Sequence, residues 1–244
     1  MKDIQLFLVN KYRKLKKIFF LYKVSSQIGV DNVIAVINLI ENDYGHQKSV
    51  LLGKPVDASL NPVPWYTYPA IEYLGQFDFS AKNIFEYGCG NSSIFWAKLA
   101  NSVTSVEIDT QWYENINSLK PNNLNIQLRI SRDSYISSIQ ESNTLYDLVI
   151  IDGIYRYECA RKSIQYLAMD GLLILDNSER YPKLCEEIRK HDLLQVDFFG
   201  YGPINYYTWT TSIFFRRECR LEPLNSFPRF GIGSLCQEFN ESES

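Results

Sequence analysis

Ile84-Phe-Glu-Tyr-Gly-Cys-Gly-Asn-Ser-Ser93 is the stretch on which the reading of this chain turns. A β-rich run ends in a glycine turn and passes directly into Ile94-Phe-Trp-Ala-Lys-Leu-Ala100, which reads as a helix. Glycines at 88 and 90 let the backbone approach a ligand closely, and the helix behind them aims its first amides and positive dipole end at the same place. The next β run, Val103-Thr-Ser-Val-Glu107, ends in an acid 17 residues beyond Gly90. A carboxylate at that strand end can accept hydrogen bonds from both hydroxyls of a ribose. Turn and acid together predict a nucleoside ligand. Separately, each has a structural explanation, as a tight turn or a solvated strand-end carboxylate.

Outward from this stretch, β runs alternate with helical segments. Ile126-Gln-Leu-Arg129, Leu148-Val-Ile-Ile151 and Leu172-Leu-Ile-Leu175 follow the first two, a rhythm that implies a parallel sheet with right-handed crossovers. Gln195-Val-Asp-Phe-Phe199 and Thr211-Ser-Ile-Phe-Phe215 leave no room between them for a crossover helix, so they predict an antiparallel hairpin. The expected fold is therefore α/β: a Rossmann-like, seven-stranded, mostly parallel sheet with a C-terminal antiparallel hairpin and helices on both faces. Residues 1–63 read as an N-terminal helical extension, 64–217 as the ligand-binding domain and 218–244 as a tail whose last dozen residues are expected to be mobile. A helix is expected to start near Pro69, after the aromatic segment Trp65-Tyr-Thr-Tyr68.

Glu86, Gly88 and Gly90 match the Glu-x-Gly-x-Gly motif of the class I S-adenosylmethionine-dependent methyltransferases, which residues 64–217 resemble. The resemblance implies that Glu86 and the turn Gly88, Cys89, Gly90, Asn91 and Ser92 contact the methionine portion of S-adenosylmethionine, with Glu107 on the ribose. It also implies a place near the adenine for Asp133, whose alternative is a helix N-cap. In many members a segment before the first strand covers the cofactor; here that would be residues 65–68, which could equally pack an N-terminal helix. A nicotinamide fingerprint would need a third glycine where Ser93 stands.

Two further strand ends carry acids. Asp152 follows the fourth run, and Asp176-Asn177 the fifth. Asp152 and Asp176 are the candidate catalytic residues, with Asp152 also a cofactor contact; together with Asn177 they make an oxygen-donor set that could hold a divalent metal such as Mg. The placement is similar to that in catechol and caffeoyl-CoA O-methyltransferases. Where those families carry a general base, however, this chain reads Gly153-Ile-Tyr-Arg156, and arginine stays protonated. Arg156 and Arg161 could bind an anionic substrate group or form a solvated helix face. Tyr201, Asn205, Tyr206 and Trp209 could shape a sugar or aromatic pocket, or close the core.

A net charge of −3 argues against a nucleic-acid partner and leaves a small molecule or glycan as the expected substrate. Five scattered cysteines without zinc-ligand spacing read as free thiols in a reducing cytoplasm. Lys11-Tyr-Arg-Lys-Leu-Lys-Lys-Ile-Phe-Phe-Leu-Tyr-Lys23 interleaves basic and apolar residues, as in a docking helix or a peripheral contact with an anionic membrane. The expected function is methyl transfer, at oxygen, to a small molecule or glycan precursor. The alternatives are another group transfer on the same fold, such as aminopropyl transfer, and a non-catalytic scaffold docked through its N-terminal helix. Oligomeric state is left open.

Overall fold

Runs of β-branched and aromatic residues become strands where both their faces can be covered, and here they build one sheet of seven. β1 (Asn83–Tyr87) is followed by α5 (Asn91–Leu99), β2 (Ser102–Glu107), α6 (Thr110–Asn117), β3 (Leu124–Leu128), α7 (Arg132–Ser137), β4 (Tyr146–Ile151), α8 (Arg156–Ser163), β5 (Leu167–Asp176), α9 (Pro182–Arg189), β6 (Leu193–Gly200) and β7 (Trp209–Arg216). Before them stand α1 (Lys2–Ile28), α2 (Val30–Asn38), a π-helical turn Leu39–Asp43, α3 (His46–Leu52) and α4 (Tyr68–Leu74). The computed structural model describes residues 2–225 and 228–234, with side chains from residue 14 onward. The expected mobility of the last dozen residues falls almost wholly outside the described residues.

The strand order is β3-β2-β1-β4-β5-β7-β6. β1 to β5 run parallel, and β7 inserts antiparallel between β5 and β6, so the fold class and the terminal hairpin are as expected. β5 is longer than the run Leu172–Leu175 suggested. Its first residue, Leu167, pairs with Tyr146, and continuous pairing resumes only at Leu172 opposite Leu148. The register shifts over Ala168-Met169-Asp170-Gly171 between these two anchors, and Asp170 and Gly171 interrupt the apolar pattern, so the sequence showed only the second.

One layer of core buries Ile84, Leu148, Ile150, Ile174 and Ile213 against Tyr66, Leu74 and Trp96 from α4, α5 and the segment before them. The opposite layer buries Phe85, Tyr87, Val149, Leu173 and Phe214 against Tyr135, Cys159, Leu184 and Ile188. The central parallel strands are thus covered on both faces, consistent with their unbroken apolar sequences. The chain after β7 returns along α4: the Asp78 amide donates to the Glu222 carbonyl at 2.8 Å, and the Ile232 amide to Glu72 Oε2 at 3.1 Å.

The carboxyl ends of β1 and β4 meet closely. The Gly88 amide donates to the Val106 carbonyl at 2.9 Å, and the Asp152 amide to the Tyr87 carbonyl at 3.2 Å. Gly88 has φ +98°, and a methyl group there would lie 3.2 Å from the Gly153 nitrogen. Gly88→Ala should therefore lower unfolding free energy by roughly 1 to 3 kcal/mol. Urea denaturation would check this, and a variant as stable as the parent would refute the reading.

Candidate functional site

The site lies along the carboxyl edge of the sheet and has two halves. The first is the glycine turn between β1 and α5. Glu86, last but one in β1, is 1 % exposed, and its carboxylate is committed inward. Ser92 Oγ donates to Oε1 at 2.5 Å; Ser105 Oγ at 2.7 Å and Ser93 Oγ both donate to Oε2. Burial raises the Glu86 pKa to about 7, and the three hydroxyls only partly offset it. Ser93, standing where a nicotinamide fingerprint has its third glycine, also accepts from the Gly90 amide at 3.1 Å and so closes the turn on itself.

Glu107 is not the solvated carboxylate that sequence left open. It is buried at the end of β2: Oε1 accepts from the Ile108 and Asp109 amides at 2.7 and 2.9 Å, and Oε2 from the Cys89 amide at 3.1 Å. The acid thus ties the second strand end to the turn. Asn91 Nδ2 donates to the Pro55 carbonyl at 2.6 Å, which fastens the turn to the N-terminal extension. The Cys89 carbonyl accepts from Trp112 Nε1 on α6, a contact that sequence reading missed although Trp112 lies just beyond Glu107.

The two glycines differ. Gly90 has φ 175°, an extended conformation open to any residue, and a methyl group added there would meet nothing closer than 3.9 Å. No protein contact requires glycine at 90. The space beside it is lined by Trp112 and lies at the N-terminus of α5, where the Ser93 amide donates to the Gly90 carbonyl at 3.1 Å. Asp133 is exposed in the first turn of α7. The N-cap of that helix is Ser131, whose Oγ accepts from the Ser134 amide at 3.3 Å, so the capping alternative for Asp133 does not hold.

The second half is a cleft of about 300 Å³ beyond β4 and β5, lined by Trp65, Asp152, Asp176, Arg180, Asn205 and Trp209 among others. Arg156, the first residue of α8, crosses it as a clamp. Its guanidinium donates to the Gly153 carbonyl at 2.9 Å, the Asp152 carbonyl at 2.8 Å and Asp152 Oδ1 at 3.1 Å. On the β5 side it donates to the Asp176 carbonyl and to Asn177 Oδ1 at 3.3 Å. At 11 % side-chain exposure it is neither a solvated helix face nor a free anion hook. Arg161 pairs instead with Glu187 at 2.6 Å.

This geometry does not support the metal expectation. Among Asp152, Asp176 and Asn177 the place of a divalent cation is taken by the Arg156 guanidinium, and Asp176 Oδ1 is occupied by Trp209 Nε1 at 3.0 Å and Thr211 Oγ1 at 2.6 Å. Among the described residues no group of three or more His, Cys, Asp or Glu side chains could hold a metal ion. The set does not fit the ion.

Burial pushes the Asp152 pKa up to about 6 despite Arg156, and this side chain keeps 25 % exposure toward the cleft. Asp176, almost fully buried, is pushed well above the ordinary carboxylate range by burial and by the negative charge of Asp152. The aromatic entrance divides. Trp65 faces the cleft half-exposed, whereas Tyr66, Thr67 and Tyr68 are buried in packing. Of the hairpin residues singled out, Asn205 and Trp209 line the cleft; Tyr206 instead packs edge-on against His46, and Tyr201 serves through its carbonyl, which accepts from the Tyr68 amide at 2.7 Å.

No family model and no curated protein matches this sequence. Solved structures do resemble the fold. Precorrin-6y C5,15-methyltransferase from Geobacter metallireducens superposes with a TM-score of 0.48 at 12 % identity, over 61 % of this chain and 87 % of its own. The N-methyltransferase NodS from Bradyrhizobium japonicum gives 0.43 at 12 %, over 72 % and 98 %. Precorrin 8w decarboxylase from Methanobacterium thermoautotrophicum gives 0.45 at 13 %, over 66 % and 96 %.

Because the Glu86 pKa is raised from 4.5 to about 7 on folding, its contribution to stability is full below pH 4.5 and is lost as pH rises through 7. Relative to a Glu86→Gln variant, the parent should lose on the order of 2 kcal/mol between pH 5 and pH 8. Paired denaturation curves at the two pH values measure it; a pH-independent difference would show that Glu86 is ionised throughout.

Proposed function

We propose that this chain is an S-adenosylmethionine-dependent methyltransferase that methylates a small molecule or glycan precursor at oxygen. The observation that carries the reading is Gly90: an extended residue that no internal contact requires to be glycine, set beside the buried Glu107 and the N-terminus of α5. A missing side chain is explained there by a ligand that needs the space. The turn and Glu107 fit a nucleoside cofactor, with spare acceptor capacity on Glu107 for a ribose hydroxyl and the exposed Asp133 on the adenine side. Bound S-adenosylmethionine would supply an activated methyl group from its sulfonium.

The cleft beyond β4 and β5 then takes the acceptor. Asp152, pushed up to about 6 yet still largely ionised at neutral pH, is placed to take the proton of the acceptor hydroxyl, whose oxygen the bound cofactor would methylate. Arg156 holds that carboxylate at the strand end. Arg180, exposed on the cleft wall and paired with Glu179 at 3.4 Å, could exchange that partner for an acidic group of the acceptor. Asp176, its pKa raised by burial and its side chain bonded to Trp209 and Thr211, holds the wall rather than moving protons.

Calorimetric titration should show micromolar binding of S-adenosylmethionine and S-adenosylhomocysteine. Glu107→Ala should abolish it; Gly90→Ala should weaken it at least tenfold while leaving the melting temperature unchanged. No binding by folded parent protein would overturn the methyltransferase reading. With an acceptor in hand, Asp152→Asn should bind cofactor normally and lower kcat by two orders of magnitude or more. In the parent, kcat/KM should fall as pH drops through about 6. Cofactor binding without turnover on any acceptor would favour the scaffold reading.

A further inference from the structure

The N-terminal arm presents apolar surface that the protein does not cover. α1 is a 27-residue helix, roughly 40 Å long, whose packing is chiefly with α2. Phe19 is 68 % and Phe20 64 % exposed, and Ile18, Leu21 and Tyr22 complete a full turn of exposed apolar residues. The chain passes through Gly29, at φ +88°, into α2, where Val30, Ile34, Val36 and Ile37 are exposed and no residue is buried. A contiguous exposed apolar patch of this kind marks a surface that meets a partner. No described helix is long and apolar enough to cross a membrane.

The charge beside this surface selects its partner. Residues 11–23 hold Lys11, Arg13, Lys14, Lys16, Lys17 and Lys23 and no acid, in a chain whose net charge is −3. Lys14, Lys16, Lys17 and Lys23 are exposed around the aromatic turn. Pairing two copies of this arm would set like charges against one another, whereas an anionic lipid surface satisfies cations and aromatic side chains together. The arm is rooted firmly: the Tyr44 ring stacks on Tyr68, its hydroxyl donates to Glu72, and buried His46 is hydrogen-bonded at Nε2 to the carbonyl of Asn205, a residue of the cleft wall.

We propose that α1 and α2 form a peripheral docking device for anionic phospholipid bilayers, the aromatic turn entering the headgroup region and the lysines pairing with lipid charge. The arm then fixes the protein at the membrane by a point next to its cleft. The proposal does not rest on the methyltransferase reading.

Co-sedimentation with vesicles of phosphatidylcholine and 30 % phosphatidylserine tests it, using the whole chain. Binding is expected at 0.1 M salt, at least tenfold stronger than to pure phosphatidylcholine and weakened by added salt. Lys14→Glu with Lys17→Glu, and separately Phe19→Ser with Phe20→Ser, should each weaken it at least tenfold without moving the melting temperature. Failure of the folded parent to bind, or binding indifferent to both pairs of substitutions, would overturn the proposal. So would a dimer in sedimentation velocity that Phe19→Ser with Phe20→Ser dissociates, since the arm would then meet a second copy.

Discussion

A single buried carboxyl group organises the first half of the sheet edge. Glu86 leaves β1 pointing into the core layer beneath α5, where a bare carboxylate would be costly. Ser92 and Ser93 from the following helix and Ser105 from the neighbouring strand supply the hydroxyls that make its burial tolerable. Because those donors come from the turn's far side and from β2, satisfying Glu86 also sets the bend of the turn and the register of strand against helix. Glu107 repeats the device one strand over with backbone amides, holding Cys89 in place. Two acids thus shape a loop whose own glycines would otherwise leave it loose.

The second half of the edge uses the opposite sign. Residues 152–155 join β4 to α8, and from the first position of that helix the Arg156 side chain reaches back to this connection and across to the end of β5. Its guanidinium satisfies carbonyls of three residues and two side-chain oxygens at once, a task suited to the planar fork of arginine and beyond lysine. The backbone bends needed to bring these groups together fall at Tyr155 and Asn177, both left-handed at φ +53° and +51°. Strain at two non-glycine residues around one arginine marks this as the part of the fold held by its contacts rather than by local preference.

The architecture was legible because parallel strands buried on both faces leave long apolar runs, and because a glycine turn followed by a strand-end acid is a local pattern. The glycine motif at 88–90 and the acids at 107, 152 and 176 could be placed at strand ends by counting alone. Their partners could not. That Glu86 is spent on three serines, one of them from β2, is a tertiary fact with no spacing signature. That Arg156 fills the gap between Asp152 and Asn177 depends on two left-handed residues that neither tyrosine nor asparagine announces. Asp and Asn at matched strand ends read as a metal set because oxygen donors are visible in a sequence, whereas the cation that completes them came from a residue assigned to a helix face.

The choice of an internal arginine over a metal bears on the chemistry proposed for the cleft. A sulfonium donor is cationic, and transfer to an oxygen nucleophile brings opposite charges together and disperses them as the new bond forms. A divalent ion beside the transferred methyl would oppose the donor's charge in low-dielectric surroundings, unless bound substrate neutralised it. Arg156 brings one positive charge, paired with Asp152 at 3.1 Å and mostly shielded from the cleft. The wall keeps its rigidity without turning a bare cation toward the donor, and the carboxylate that remains open to the cleft is the group able to attract it. On this reading the same ion pair that closes the sheet edge also sets the sign of the field in which the methyl group moves.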